Sequence, residues 1–345
     1  MLPATPLASS VSRHGARQRY VRGGDFRPAP DAPEGSLRYH VLPASLGAVL
    51  ARAEGGWRVA RLYRSDPDIP EEVGPLLRPG VDIREGDVLL AINGTPLTSV
   101  HPSELLRNLA GKQVLLRVKP ASGSAERDVI VTPITQSRET DLRYDEWEYT
   151  RRQLVDSLSG GKVGYVHIRN MSTAGMTEFM REYYPVFNRA GLIIDVRNNT
   201  GGNIDAWLLA RLLRQAWFEW RPRTGEPYSN MPYAFRGPMV VLVNERTASD
   251  GEAFAEGFRR LGLGRVIGTR TWGGEIWLSS SNVLLDRGVA TAAEQGVFDY
   301  QGTQLIEGWG VEPDIVVDNL PGATFGGRDV QLERAVKELA VTGVH

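Results

Sequence analysis

The rhythm of apolar and polar positions changes twice along the chain. Residues 1–39 carry little periodic apolar pattern and are rich in Arg, Gly, Pro and Ser, with Pro28, Pro30 and Pro33 interrupting any regular element. They predict an irregular extension. Short strands follow: Arg38–Leu42, Trp57–Tyr63 and Asp87–Ile92 alternate or run apolar between turn residues. Asn93-Gly94 directly after the third is a two-residue hairpin signal. Ser103–Leu109 predicts one or two helical turns capped by Ser103, and Val114–Val118 and Asp128–Thr132 complete a compact, mostly β block over 40–134.

The second change comes after the charged stretch Ser137–Arg152, which reads equally as a short helix or an extended arm. Beyond Gly160-Gly161, strands alternate with helices. Strands are expected at 163–168, 191–196, 239–243 and 265–268, and helices at 173–190, 205–220 and 249–261. Strands alternating with helices of this length predict a largely parallel sheet with helices packed on it, an α/β domain over 135–345. Trp207, Trp217 and Trp220 are expected to pack from one helix.

Composition narrows the function classes. A length of 345 residues favours two domains. Hydrophobic residues at 41% and charged residues at 23% suit a globular chain that buries a core. Forty basic side chains against 41 acidic ones leave a net charge of −1, no field to draw nucleic acid or an acidic membrane. With no cysteine, disulfides, thiolate metal sites and a cysteine nucleophile are excluded. No apolar run approaches the roughly 20 residues that span a bilayer. The opening Met1–Ser10 is broken by proline and lacks a basic segment before an apolar core, so a cytoplasmic location is expected.

Two segments carry candidate chemistry. In Val240–Glu252 an apolar strand ends at Asn244, and a helix begins at or just after Ser249. A side chain there projects from the carboxyl end of a sheet, where open α/β folds place their ligands. The first helical N–H groups lack internal partners, so a serine Oγ attacking a carbonyl would have oxyanion donors beside it. The same serine, with Glu252 three residues on, also fits a plain capping box. In Leu192–Gly202 a second buried strand ends in polar residues and the pair Gly201-Gly202, whose backbone can turn amides toward an anion. An ordinary strand–turn–helix, with Asp195 and Arg197 paired, explains that segment as well.

A serine nucleophile needs a base at neutral pH. Of the five histidines, His345 is terminal, His101 stands beside Pro102 at a helix entrance, and His167 falls in a strand as a core histidine; His14 and His40 remain. Glu307, ahead of Gly308-Trp309-Gly310, is a carboxylate able to orient base or nucleophile, or a solvated turn residue. No two histidines have metal-ligand spacing, no phosphate-binding glycine loop is present, and no cofactor is implied.

Together the segments resemble the tricorn protease family and, more distantly, the carboxy-terminal processing proteases, over about Tyr20 to Ala340. Asp195-Val-Arg-Asn-Asn-Thr-Gly-Gly is similar to the family's D-x-R-x-N-x-G-G element, Asn244–Glu252 to its nucleophile motif, and Ile306–Asp314 to the segment holding its glutamate. The resemblance implies a ClpP/crotonase-like β-α catalytic domain preceded by a PDZ-like domain that takes a peptide as an added strand. It implies Ser249 as nucleophile, the amides of Gly201 and Asp250 as oxyanion hole, and Glu307 as the orienting carboxylate. Gly202 would line the substrate, and Glu219, on the helix after the glycine pair, would favour cleavage after basic residues. The family's Ser-His pair precedes a Gly-Gly-Asp; here Gly23-Gly24-Asp25 is present, but Arg17-Gln18 stands in the Ser-His place, with His14 nearby and out of register. The resemblance therefore also implies a chain shortened at its amino end, with 1–39 a remnant of an upstream helical subdomain and His14 the candidate base. It implies peptide substrates and a homo-oligomer in the full-length form. Two readings of another class stay open: a PDZ-bearing peptide binder with an incomplete catalytic dyad, and an acyl-CoA enzyme of the crotonase type.

Overall fold

The computed structural model describes residues 42–278, 283–289, 291 and 293–341. The chain divides into two units, 1–143 and 144–345.

The first unit is built on an antiparallel sheet of β1 (Ala48–Ala53), β2 (Gly56–Leu62), β3 (Val88–Ile92), β4 (Val114–Lys119) and β5 (Arg127–Val131), in that spatial order. Along β4 the side chains alternate strictly, Val114, Leu116 and Val118 buried against Leu115, Arg117 and Lys119 exposed. That is the signature of a sheet with one face in the core. Asn93 and Gly94, both at positive φ, turn β3 back onto Thr95–Pro96, as their sequence predicts. The helical turn expected to be capped by Ser103 is instead Pro102–Leu105, capped by the His101 ring, which accepts the Ser103 N–H at 3.2 Å. Proline at the first position moves the helix start one residue upstream.

The charged stretch resolves as one long helix, α1 (Gln136–Ser159). Then come β6 (Val163–His167), α2 (Thr173–Tyr183), β7 (Gly191–Asp195), α3 (Asp205–Leu212), β8 (Met239–Val243), α4 (Asp250–Arg260), β9 (Gly264–Gly268), β10 (Ile315–Val316) and α5 (Val330–Val341). The five strands form an all-parallel sheet in the order β6-β7-β8-β9-β10. Each new strand is added on the same side. Right-handed crossovers then put the intervening helices on one face, and Phe179, Leu208, Phe254 and Phe258 pack there with Ile194, Val241 and Val266. Val155 of α1 and Leu332, Ala335 and Leu339 of α5 cover the other face, over Ile193, Val240, Leu242 and Ile267. Burial on both faces explains why these strands read as unbroken apolar runs. Each such side chain contributes roughly 1.5–3 kcal/mol.

Two helices are shorter than expected. The helix predicted to run to Ala190 ends at Tyr183, and the one predicted to reach Trp220 ends at Leu212. Beyond it, Glu219–Trp220 pairs with Tyr228–Ser229 as a small antiparallel ladder. Consequently Trp207, Trp217 and Trp220 do not pack from one helix; they are 72%, 77% and 54% exposed. Among the described residues, no helix is long and apolar enough to cross a membrane.

Candidate active site

Because β7 and β8 are parallel neighbours in register (Asp195 opposite Leu242), the turns that follow them leave the same sheet edge side by side. They are stitched together. The Val196 N–H donates to the Leu242 carbonyl at 2.9 Å, and the Ala248 N–H to the Asn199 carbonyl at 2.9 Å. Asn198 and Asn244 exchange two bonds: Asn198 N–H to Asn244 Oδ1 at 2.9 Å, and Asn244 Nδ2 to Asn198 Oδ1 at 3.1 Å. The Thr247 hydroxyl donates to the Val196 carbonyl at 2.8 Å.

The first turn is anchored in the interior. Asp195 and Arg197, both buried, form the pair expected of them, with the guanidinium also reaching Asp329 at 2.9 Å. Asn199, fully buried, donates to the Ile168 carbonyl at 2.7 Å and accepts the Gly201 N–H at 2.8 Å. In this structure the Gly201 amide, expected in the oxyanion hole, is therefore engaged by Asn199. Gly201 itself presses on the serine turn: a Cβ there would lie 2.5 Å from the Ser249 Cβ and 3.1 Å from its Oγ, and φ is +81°. Only glycine fits. Gly202, at φ +151°, leaves no room for a Cβ either, because the Met171 carbonyl lies against it.

Ser249 ends the turn between β8 and α4 as the N-cap of α4, partly exposed, with φ 53° and ψ −129°. A non-glycine residue held there costs about 1–3 kcal/mol and persists only where its surroundings enforce it. The capping box read from the sequence is present with Glu252. In it the Glu252 carboxylate accepts the Ser249 N–H at 2.9 Å. The Glu252 N–H donates to the Ser249 carbonyl at 2.6 Å. The next residue, Asp250, opens α4, and its N–H has no acceptor among the described residues. Its carboxylate crosses to α3, accepting the Ile204 and Asp205 N–H groups at 2.6 and 3.0 Å. Desolvation and the nearby Asp205 push the Asp250 carboxyl up from its ordinary range.

Glu307 follows Ile306, itself at positive φ, and its Oε2 accepts the Glu275 N–H at 2.7 Å. Glu275 was not anticipated from the sequence. Among the described residues its buried Oε2 has no hydrogen-bond partner, and burial, then Asp250, Glu252, Asp205 and Glu307, push its carboxyl up to about 8. Asn199 was visible as the N of D-x-R-x-N-x-G-G, without a role. Glu219 lies on the antiparallel ladder rather than on a helix, 3.4 Å from Arg221 and 3.6 Å from Arg236. The helix expectation failed there because α3 stops at Leu212. His14 and His40 lie outside the described residues. His167 is enclosed, with its Nε2 2.9 Å from the Tyr144 hydroxyl, and burial depresses it to about 4. It is a neutral core histidine. Among the described residues no cluster able to hold a metal ion occurs.

A parallel sheet whose carboxyl edge presents a strained serine at a helix start, beside a glycine turn, is an arrangement able to carry serine hydrolase chemistry, and here a mostly β domain precedes it. Residues 162–317 match peptidase family S41, and residues 45–136 match the tricorn protease PDZ domain. The chain is 36% identical over 293 residues to tricorn protease homolog 1 of Streptomyces coelicolor, covering 84% of this chain and 27% of that protein. It is 32% identical over 291 residues to the tricorn protease of Thermoplasma volcanium, covering 83% of this chain and 28% of that protein. A crystal structure of the tricorn protease superposes with a TM-score of 0.79 at 28% identity, over 86% of this chain and 29% of that one. The chain belongs to the tricorn protease family. It spans about a quarter of the length of these curated relatives.

Proposed function

We propose that the chain is a serine peptidase that cleaves oligopeptides through an acyl-enzyme on Ser249. The observation that carries this reading is the fit between Gly201 and Ser249: the backbone of one turn lies against the hydroxyl carried by the other, beside the Asp250 N–H, which has no acceptor among the described residues. Ser249 Oγ attacks the peptide carbonyl and passes its proton to a base, for which His14 is the candidate. The oxyanion takes the Asp250 N–H and the Gly201 amide, which leaves or shares its bond with Asn199. The C–N bond breaks as the base protonates the leaving amine, and water then releases the acid product. Glu307 acts as the orienting carboxylate, Gly202 lines the substrate, and Glu219 favours basic side chains. The PDZ-like unit takes a peptide along a sheet edge. A homo-oligomer in the cytoplasm completes the reading.

Oligopeptides containing Lys and Arg, incubated with the full chain and followed by mass spectrometry, test it. Cleavage is expected, and Ser249→Ala should abolish it. Cleavage that survives in Ser249→Ala would sink the proposal. Peptide binding without turnover would leave a PDZ-bearing binder instead.

A further inference from the structure

Glu252 is fully buried, and among the described residues no cation pairs with it. A buried carboxylate survives only if its oxygens are satisfied. Four donors converge on this one. Oε2 accepts the Ser249 N–H at 2.9 Å and the Gly274 N–H at 3.0 Å; Oε1 accepts the Gly273 N–H at 2.7 Å and the hydroxyl of buried Thr271. Its place in the first turn of α4 adds the favourable end of the helix dipole. A capping residue needs only the first of these bonds. The other three run to a segment more than 18 residues away in sequence, 271–275.

That segment reaches both halves of the proposed catalytic apparatus. On one side, the Trp272 N–H donates to the Thr247 carbonyl at 3.1 Å, just ahead of Ser249. On the other, the Gly308 N–H donates to the Gly273 carbonyl at 2.9 Å, the Val311 N–H to the Thr271 hydroxyl oxygen at 2.7 Å, and the Glu275 N–H to Glu307 Oε2 at 2.7 Å. The described residues show no direct bond between Glu307 and Ser249. The connection between them is Ser249 N–H, Glu252 carboxylate, Gly273 and Gly274, Glu275 N–H, Glu307 carboxylate.

We infer that Glu252 is a positioning residue: it locks the Ser249 backbone in its strained conformation and sets the distance between the nucleophile and Glu307. It touches no substrate. This rests on the peptidase reading above. Glutamine in its place keeps the shape but turns an NH2 group toward N–H donors, so at least one of the four bonds is lost and the serine turn is freed to relax.

The test uses the full chain, a fluorophosphonate probe and hydrogen exchange. Glu252→Gln should fold, as judged by its thermal transition, and lose about tenfold to a hundredfold in the rate at which Ser249 is labelled, with kcat for peptide reduced and KM little changed. Amide exchange should accelerate at 273–274 and 249 while 192–194 in β7 stays protected. Thr271→Val, which removes one donor from the same carboxylate, should show the same pattern at smaller size and replaces Glu252→Gln if that variant does not fold. Labelling and exchange at native rates in a folded Glu252→Gln, or in Thr271→Val if Glu252→Gln does not fold, would overturn the inference. Exchange that accelerates as described in a chain whose Ser249 is never labelled supports the lock and overturns the peptidase reading instead.

Discussion

The two turns that frame the site leave adjacent strands at the same sheet edge, yet they are built on opposite plans. The turn after β7 is secured by side chains that point into the interior: Asp195 and Arg197 pair with each other and with Asp329, and Asn199 spans the Ile168 carbonyl and the Gly201 amide. Its positive-φ positions are Asn198, of a residue type that tolerates the left-handed region, and Gly201 and Gly202, which adopt positive φ at no steric cost. The turn after β8 places a serine at positive φ and is held from outside itself, by Glu252 and the 271–275 segment. One turn is a fixed platform. The other stores strain at the residue proposed to react, and that strain lasts only while the clamp does.

The largest break in this contrast should come from Gly201→Ala. The added methyl meets the Ser249 Cβ at 2.5 Å on a backbone that disfavours alanine, so one turn must move off the other. Peptide cleavage should fall by at least about a hundredfold, with a loss of stability of only about 1–3 kcal/mol in thermal unfolding, because the sheet beneath is untouched. Near-native cleavage would show that the two turns need not touch.

A smaller effect sharpens the other half. Glu275, beside the clamp, holds its proton up to about pH 8, first because burial penalises the carboxylate and then because Asp250, Glu252, Asp205 and Glu307 surround it. The unfolded chain releases that proton near the ordinary glutamate value, so the folded state binds more protons between the two. The contribution of Glu275 to the unfolding free energy is therefore most favourable below that window and declines as pH rises toward about 8. Glu275→Gln removes the charge that must otherwise appear. Its thermal midpoint should exceed the native one by a few degrees at pH 8.5 and match it near pH 4. Identical curves at both pH values would contradict the assignment.

How much of this was legible beforehand follows from what each feature depends on. The parallel sheet was readable because burial on both faces writes itself into consecutive positions such as Leu192–Ile194 and Met239–Val243. Ser249 and Gly201 were readable as strand-end residues of the right type. The length of α1 was not, because a helix this rich in charge shows little apolar period; Glu139 with Arg143, and Asp145 and Glu148 with Arg169, meet only in space or one turn on. Nor was the end of α3: aromatic residues at 217, 218 and 220 continue an apolar pattern without burying it, and so Glu219 was misplaced onto a helix. Glu252 shows the limit most clearly. Its local partner lies three residues away and reads as a cap, whereas the partners that make it a clamp come from a separate loop.

On the proposed mechanism the Asp250 N–H and the Gly201 N–H, once it leaves or shares its bond with Asn199, meet the oxyanion beside the Ser249 hydroxyl. A crystal structure of the chain inactivated by a peptide boronic acid tests it directly. Boron bonded to Ser249 Oγ, with one boronate oxygen about 2.7–3.1 Å from the Asp250 nitrogen and within similar reach of the glycine-turn amide, is the predicted result. A boronate attached elsewhere, or one at Ser249 whose oxygens meet neither amide, would contradict the account.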